Sequence, residues 1–325
     1  MRMTLRLSAV ALAAVLLPDP APLQAQDTLT LGAVVAVLAA QEAFRLLYYG
    51  YPFPNTFYAK TGAGPLLWLR GARYLGAFVA LHPVFCALAA LGAASLLRRQ
   101  PRFLRTTLLA AVPLGCALYV VAVGGDFKPT FRFVMPVLGP LAVLAGEGLA
   151  ALGRLGRGRG AMALGLALLA FLGLDERVSL GRMRDDAALR ARALDDWITV
   201  GTFLREHAPP DTVLALHSVG TVPYISGLKA LDCWGLTNTH IAHLDPASLG
   251  GGMAGHEKTD YGWIFSQRPH LYLPEEDLLT ATPVRLKVPT AFPADFESRY
   301  VQRSIRVEDR WLNAFFRRDE PVELR

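Results

Sequence analysis

Two long apolar runs are joined by the stretch Gly124-Gly125-Asp126-Phe127-Lys128-Pro129-Thr130-Phe131-Arg132-Phe133, here called the hinge. The hinge carries a carboxylate, an ammonium and a guanidinium on Asp126, Lys128 and Arg132. Charged side chains beside apolar helices cost free energy, so they are expected where they bind a partner or a ligand. A guanidinium forks onto phosphate oxygens and an ammonium adds a point charge, so the pattern predicts a membrane domain with a phosphate-binding loop. The alternative is a loop whose lysine and arginine extend to lipid phosphates without forming a site.

The composition is typical of a membrane protein. Of 325 residues, 53% are hydrophobic and 18% are charged, with a mean hydropathy of +0.32. This is too apolar for an ordinary soluble enzyme. The net charge of +6 comes largely from arginines in short loops and at helix ends, where topology explains them, so nucleic-acid binding is not expected. The three cysteines indicate neither a disulfide framework nor a zinc motif.

Five apolar segments predict membrane spans within residues 27–178, because a helix needs about 20 apolar residues to cross the hydrocarbon core. Basic residues in the short loops at 98–105 and 154–160 place those loops in the cytoplasm. By alternation, the hinge, the aromatic loop at 49–73 and everything after residue 175 lie outside. The predicted spans are Leu29 to Tyr49, Tyr74 to Leu97, Thr106 to Val123, Phe133 to Leu152 and the short Ala161 to Leu174.

Residues 1–26 form a shorter apolar segment with two interpretations. Arg2 and Arg6 precede a mostly apolar stretch from Leu7 to Leu17, as in a secretory signal. The alternative is the remnant of an earlier helix, since that stretch is too short to span a bilayer. A cleaved signal would invert the topology and place the arginine-rich loops outside, so the remnant is favoured.

Residues 179–325 predict a small extracytoplasmic α/β domain, since helical and strand-like patterns alternate there. An amphipathic helix is expected at 184–207. Buried strands are expected at Thr212 to His217, at Lys229 to Trp234 and, shorter, at His270 to Leu273. A closing pair of strands is expected at 299–317. The predicted fold is therefore a helical polytopic membrane domain of about five spans followed by this α/β domain.

Candidate binding residues lie in outer loops and at strand ends, where polar groups often contact ligands. Asn55 and Lys60 could hydrogen-bond sugar hydroxyls or phosphate beside tyrosines such as Tyr49, or belong to a plain aromatic belt. The other candidates, which follow a strand or a glycine run, are Asp232, His240, His256 and Lys258.

The histidines do not predict a metal site, and no cofactor is expected. His240 and His243 are the only helically spaced pair, and no carboxylate accompanies them or His256 in a recognised ligand pattern. His217 and Ser218 lack the context of a catalytic triad, so hydrolase chemistry has little support.

The motifs resemble those of polytopic GT-C glycosyltransferases, particularly relatives of the actinobacterial terminal arabinofuranosyltransferases, over residues 40 to 275. The resemblance is carried by Tyr48-Tyr49-Gly50, Pro54-Asn55-Thr56, Ala59-Lys60, Gly124-Gly125-Asp126 with Arg132 and Pro136, Asp232…Gly235-Leu236…His240-Ile241-Ala242, and Gly255-His256-Glu257-Lys258.

The resemblance implies a polyprenyl-phosphate sugar donor and a cell-envelope glycan acceptor at the outer face of the cytoplasmic membrane. By the same resemblance, Lys128 and Arg132 would hold the donor phosphate, Asp126 would make a structural or sugar contact, and Asn55 and Lys60 would line the cavity. Such enzymes use an aspartate of the first outer loop as the base. The likeness begins in the family's later helices, so the catalytic residue is unassigned and the chain is expected to be the C-terminal portion of such an enzyme or a shortened gene product.

A second interpretation belongs to a different functional class. The chain could be a non-catalytic membrane protein whose outer domain binds a glycan or an assembly partner. Binding of polyprenyl-phosphate sugar without turnover would favour it over a transferase.

Overall fold

The computed structural model describes residues 25–99, 103–128, 130–155, 184–185 and 187–324. The chain divides into two compact units. The helical unit consists of Met1–Pro54 and Gly62–Met183, and the α/β unit consists of Asn55–Thr61 and Arg184–Arg325. The segment Asn55–Thr61 therefore groups with residues that lie far downstream in the sequence.

The helices are numbered in chain order over the described residues. They are α1 (Ala25–Tyr49), α2 (Asn55–Lys60), α3 (Pro65–Leu81), α4 (Pro83–Arg99), α5 (Phe103–Ala122), α6 (Leu138–Leu155), α7 (187–207), α8 (Thr221–Ser226), α9 (Thr239–Ala242), α10 (Tyr261–Ser266) and α11 (Phe296–Arg299). A 3₁₀ turn, Met135–Val137, leads into α6.

Helices α4 and α6 of the helical unit pack through glycines. A Cβ added at Gly92 would overlap the carbonyl oxygen of Leu144, and one added at Gly148 would overlap that of Leu88. Small residues let two helix backbones approach closely, which explains the contact. Ala89, Leu109, Leu144 and Ala145 form a buried cluster in this unit.

The predicted five-span membrane domain is wrong. Within the described residues, one helix, Met135–Arg154, is long and apolar enough to cross a membrane. The predicted span Tyr74 to Leu97 is broken, because Pro83 lacks an N–H and its ring obstructs a continuing helix. The helices Pro65–Leu81 and Pro83–Arg98 lie at 98° to each other. They would form a second span only if the bent pair crossed the membrane as a single unit.

One further predicted span differs from the expectation, and another is not tested. The apolar part of α5 is Leu109–Ala122, which is shorter than the roughly 20 residues that a span requires. The predicted span Ala161 to Leu174 lies outside the described residues, as do residues 1–24 of the N-terminal apolar segment.

The α/β unit is built on a mixed six-stranded sheet in which β1 pairs with parallel neighbours on both sides. The order is β2-β1-β3-β6-β4, and β5 also pairs with β6. β2 and β3 are parallel to β1, whereas β6 is antiparallel to β3, β4 and β5. The strands are β1 (Val213–Leu216), β2 (Lys229–Asp232), β3 (Leu271–Tyr272), β4 (Leu279–Thr280), β5 (Tyr300–Val307) and β6 (Arg310–Arg317).

Both faces of the sheet are covered, as the near-continuous apolar character of β1 predicts for a buried parallel strand. Leu214 and Leu216 pack in a cluster with Val200 and Leu204 of α7. Ala215, which points to the opposite face, packs in a second cluster that includes Tyr272 and Phe265 of α10.

The strand order creates a topological switch point in this sheet. The chain leaves β1 toward β2 on one side and leaves β3 toward β4 and β6 on the other. In open α/β sheets, ligands bind in the crevice outside the carboxyl ends of the strands at such a point. The carboxyl ends of β1 and β3 are therefore a natural place for a site.

Candidate functional site

The hinge of the helical unit holds its arginine in a fixed orientation. Arg132 Nη2 donates to Asp126 Oδ1 at 2.9 Å, and Arg132 Nε donates to Asp126 Oδ2. The Asp126 side chain is 4% exposed and that of Arg132 is 43% exposed. Asp126 Oδ1 also accepts from the Phe127 amide at 2.9 Å, so a buried carboxylate positions a half-exposed guanidinium.

Two glycines shape this turn against α3. Gly124 and Gly125 have φ values of +76° and +71°, the left-handed region that favours glycine. A Cβ added at Gly125 would lie 2.8 Å from Tyr74 Cβ. Arg70 Nε donates to the Gly124 carbonyl at 2.8 Å, and Lys128 Nζ lies 4.4 Å from the Phe127 ring centroid. The two glycines therefore allow a tight turn that packs closely on Tyr74.

The candidate residues of the first predicted outer loop belong to two different units. Tyr49 lies in the helical unit, is 62% exposed and packs edge-on against Tyr48 at 4.7 Å. Asn55 begins α2 of the α/β unit, and its amide donates to the carbonyl oxygens of Gly235 at 2.7 Å and Leu236 at 3.1 Å. Lys60 is exposed, and its stem lies close to Gly255. Asn55 therefore fastens α2 to the loop after β2.

Lys258 is buried, at 4% exposure, and contributes to the same fastening. Its ammonium donates to the carbonyl oxygens of Tyr58 at 2.8 Å and Ala242 at 3.0 Å. Burial lowers the pKa of Lys258. The Tyr58 ring also stacks on His243 at 4.3 Å, so α2 is held by an ammonium, an amide and a ring contact.

Asp232 organises the loop after β2 from a buried position. Oδ1 accepts from the amides of Trp234 at 2.8 Å and Gly235 at 3.1 Å, and Oδ2 accepts from the Thr237 amide at 2.8 Å. The Thr237 hydroxyl adds a donor to Oδ2 at 3.3 Å. Both carboxylate oxygens are therefore engaged by the loop itself.

His240 and His256 lie in two separate aromatic arrangements. His240 Nε2 donates to Asp260 Oδ2 at 2.9 Å, and its ring stacks on Trp263 at 4.8 Å. The hydrogen bond from His240 holds the pKa of Asp260 below its ordinary value. His256 Nδ1 donates to the Ala254 carbonyl at 3.0 Å, and its ring packs edge-on against Trp234 at 4.3 Å.

His217 follows β1 at the switch point. It is 8% exposed, shares a hydrogen bond of 2.8 Å between Nε2 and the Tyr261 hydroxyl, and packs against Trp234 at 4.8 Å. Tyr261 in turn hydrogen-bonds Tyr272 of β3. Burial, with the nearby charge of His256, lowers the pKa of His217 to about 4, so the imidazole is neutral near pH 7.

Nδ1 of His217 is buried and has no hydrogen-bond partner among the residues that the structure describes. A buried polar atom in this state typically costs about 1–3 kcal/mol, so it calls for an explanation. In the sequence, His217 lacks the neighbours of a catalytic triad and was not predicted as a site residue. The signal that could have found it is its position, the first polar residue after a buried parallel strand.

Residues 183–322 match the family described as Domain of unknown function (DUF8728). No curated protein and no solved structure matches the chain. The matched range contains the sheet, His217 and the loop after β2, but not α2. Within the described ranges, no group of three His, Cys, Asp or Glu side chains is arranged to hold a metal ion.

Proposed function

We propose that the helical unit binds a polyprenyl-phosphate sugar at the hinge, and that the chain transfers this sugar to a cell-envelope glycan at the outer face of the cytoplasmic membrane. The observation that carries the binding step is the side-on pairing of Arg132 with the buried Asp126. The transfer step rests on the resemblance to GT-C glycosyltransferases.

The pairing leaves much of the guanidinium for a ligand. A guanidinium has five N–H groups, and the contacts to Asp126 use two of them. An arginine that is already oriented loses less side-chain entropy when it binds phosphate, and it binds through two parallel hydrogen bonds. Arg70 and Lys128 add positive charge around the same turn, and this charge favours a phosphate group.

A second function is binding of the lipid-linked sugar or a glycan without transfer. It is favoured because two candidate carboxylates, Asp126 and Asp232, are already engaged in hydrogen bonds. A general base needs a lone pair within reach of the substrate proton. Asp126 is engaged by Arg132, and both oxygens of Asp232 are filled by backbone and hydroxyl donors. Neither is placed to take a proton from an acceptor hydroxyl.

The binding step is tested with the full chain and with Arg132→Lys, which keeps the charge and loses the fork. We expect decaprenyl phosphate in detergent micelles to bind Arg132→Lys about tenfold more weakly than wild type, a difference of about 1.4 kcal/mol. The matched control is Arg205→Lys at an exposed guanidinium on α7, which should leave affinity unchanged. Equal affinity for wild type and Arg132→Lys would exclude the phosphate role of Arg132.

The two functions are separated by a turnover assay. Wild-type chain is incubated with a radiolabelled polyprenyl-phosphate sugar and cell-envelope glycan. Labelled glycan that depends on Arg132 supports transfer, and binding without labelled product supports the second function. Absence of binding to both the polyprenyl-phosphate sugar and the glycan contradicts both functions.

A further inference from the structure

The switch point of the α/β unit opens into a small pocket beside His217. Ser218 follows His217 after β1, and Glu275 lies on the loop after β3. The pocket encloses about 10 Å³, close to the room that one water molecule or one hydroxyl group needs. It is lined by Trp197, Leu216, His217, Ser218, Val222, Leu273, Pro274, Glu275 and Leu278.

A larger groove of about 600 Å³ adjoins this pocket along α7. Trp197, Glu275 and Leu278 line both spaces, so the two share a wall, and the smaller one beside His217 is called the inner pocket. A volume of this size is within the range of small-molecule sites, which are usually apolar with a few convergent polar groups. The other lining residues of the groove are Leu189, Arg190, Ala193, Leu194, Asp196, Asp277 and Leu279.

We propose that this groove and pocket bind an uncharged, hydroxyl-rich molecule of single-sugar size, with one of its hydroxyl groups hydrogen-bonded to Nδ1 of His217. A hydroxyl both donates and accepts, so it satisfies Nδ1 in either tautomer of the imidazole. The indole of Trp197 provides an apolar wall for the carbon face of such a ligand. The inference does not depend on the hinge.

The pocket beside His217 favours a neutral polar group over an ion. His217 is neutral near pH 7, and burial together with the charge of Glu276 raises the pKa of Glu275. Asp196 is ion-paired with Arg310. An ion that entered the inner pocket would lose its hydration beside the neutral imidazole of His217, whereas a hydroxyl group carries no charge to desolvate.

The hydrogen bond between His217 and Tyr261 fixes the orientation of the imidazole ring. It engages Nε2 and thereby directs the other nitrogen away from Tyr261. A glutamine at this position places its amide near the Nε2 position and leaves nothing at Nδ1. His217→Gln therefore removes the proposed contact while preserving the hydrogen bond to Tyr261.

The wild-type chain provides the first test, by ¹⁵N NMR of its histidine side chains. Glucose, ribose and myo-inositol are titrated to about 10 mM, above the millimolar affinity expected for a fragment-sized ligand. We expect at least one of them to shift the Nδ1 resonance of His217 while the ring stays neutral. No change with any of the three would overturn the proposal, since the pocket would then be a water site.

Variants provide the second test through the affinity of the sugar that binds. His217→Gln should bind about tenfold more weakly, corresponding to one lost neutral hydrogen bond. Glu275→Gln keeps a side chain of the same shape and leaves the contact with His217 in place, so it should bind within about threefold of wild type. His207→Gln, at a histidine bonded to the Phe203 carbonyl, is the matched control and should bind as wild type does.

Charged analogues complete the test of ligand class. Glucose 6-phosphate and glucosamine should each bind more weakly than glucose. Equal or tighter binding of either analogue, or wild-type affinity of His217→Gln, would refute the proposed site. Because the hinge is tested with decaprenyl phosphate and Arg132→Lys, the two proposals can fail separately.

Discussion

Replacing Lys258 with methionine should release α2 from the α/β unit. The ammonium donates to the Tyr58 and Ala242 carbonyls from a site that is 4% exposed. Hydrogen bonds to a charged group contribute about 1.5–3 kcal/mol each, so the two are worth about 3–6 kcal/mol. Removing a buried ammonium recovers several kcal/mol of desolvation, which leaves a net loss of about 2 kcal/mol.

The loss should appear locally, because Tyr58 belongs to a short segment and Ala242 to the α/β unit itself. Two kcal/mol corresponds to about a 30-fold increase in the opening equilibrium of α2. Hydrogen exchange of the amides at 55–61, followed by mass spectrometry, measures that equilibrium. Lys287→Met, at an exposed lysine of the same unit, is the control and should leave their protection unchanged.

Unchanged hydrogen-exchange protection of residues 55–61 in Lys258→Met would refute the proposed role of Lys258 in holding α2. It would mean that the Asn55 contacts and the stack of Tyr58 on His243 suffice to hold α2. A global drop in melting temperature with uniform loss of protection would also contradict it, since the ammonium would then support the whole sheet.

Two further predictions concern His217 and the hinge. Between pH 6.5 and about 4, His217 binds a proton in the unfolded chain but not in the folded one. The free energy of unfolding, measured by urea titration, should therefore fall by about 3 kcal/mol as the pH drops through this window, and this pH-dependent loss should be absent in His217→Gln. Gly125→Ala should destabilise the helical unit by about 2 kcal/mol in thermal melts, through its positive φ and the contact with Tyr74, whereas Gly115→Ala, which has open space around it, should be neutral or slightly stabilising.

The first two strands of the α/β unit could be predicted because each lies in a short, mostly apolar run between turn residues, whereas β4 was not predicted. The run predicted at Thr212 to His217 contains β1, and the run predicted at Lys229 to Trp234 contains β2. The amphipathic pattern predicted a helix at 184–207, and α7 covers 187–207. Local periodicity was sufficient in these cases because neighbours in sequence decide which face is buried.

The helical unit could not be predicted in the same way, since hydropathy averages over breaks in the helix. The predicted span Tyr74 to Leu97 contains Pro83, and the structure turns by 98° there. The proline was visible in the sequence, but the apolar residues on both sides concealed its effect. Apolar composition favours burial of any kind, and the close α4–α6 contact through Gly92 satisfies part of it without lipid.

Contacts between residues far apart in the sequence decide which hydrogen bonds the candidate site residues make. Asn55 donates to Gly235, which is 180 positions away, and His217 shares its hydrogen bond with Tyr261, 44 positions away. No spacing rule links such pairs, so sequence patterns could propose Asn55 as a ligand-binding residue and set His217 aside. The structure shows a partner for each group and, for Nδ1 of His217, an atom without one among the described residues.

The position of α2 shows why the boundaries of this fold are hard to read along the chain. The family match begins at residue 183, yet the loop after β2 is fastened by Asn55, and Lys258 is partly satisfied by the Tyr58 carbonyl. Without α2, the ammonium would retain the Ala242 carbonyl and need water for the remainder. Because an ammonium so deeply buried is costly without acceptors, Asn55–Thr61 belongs to the folding unit of the sheet even though it lies far ahead of the first strand, Val213–Leu216, in the sequence.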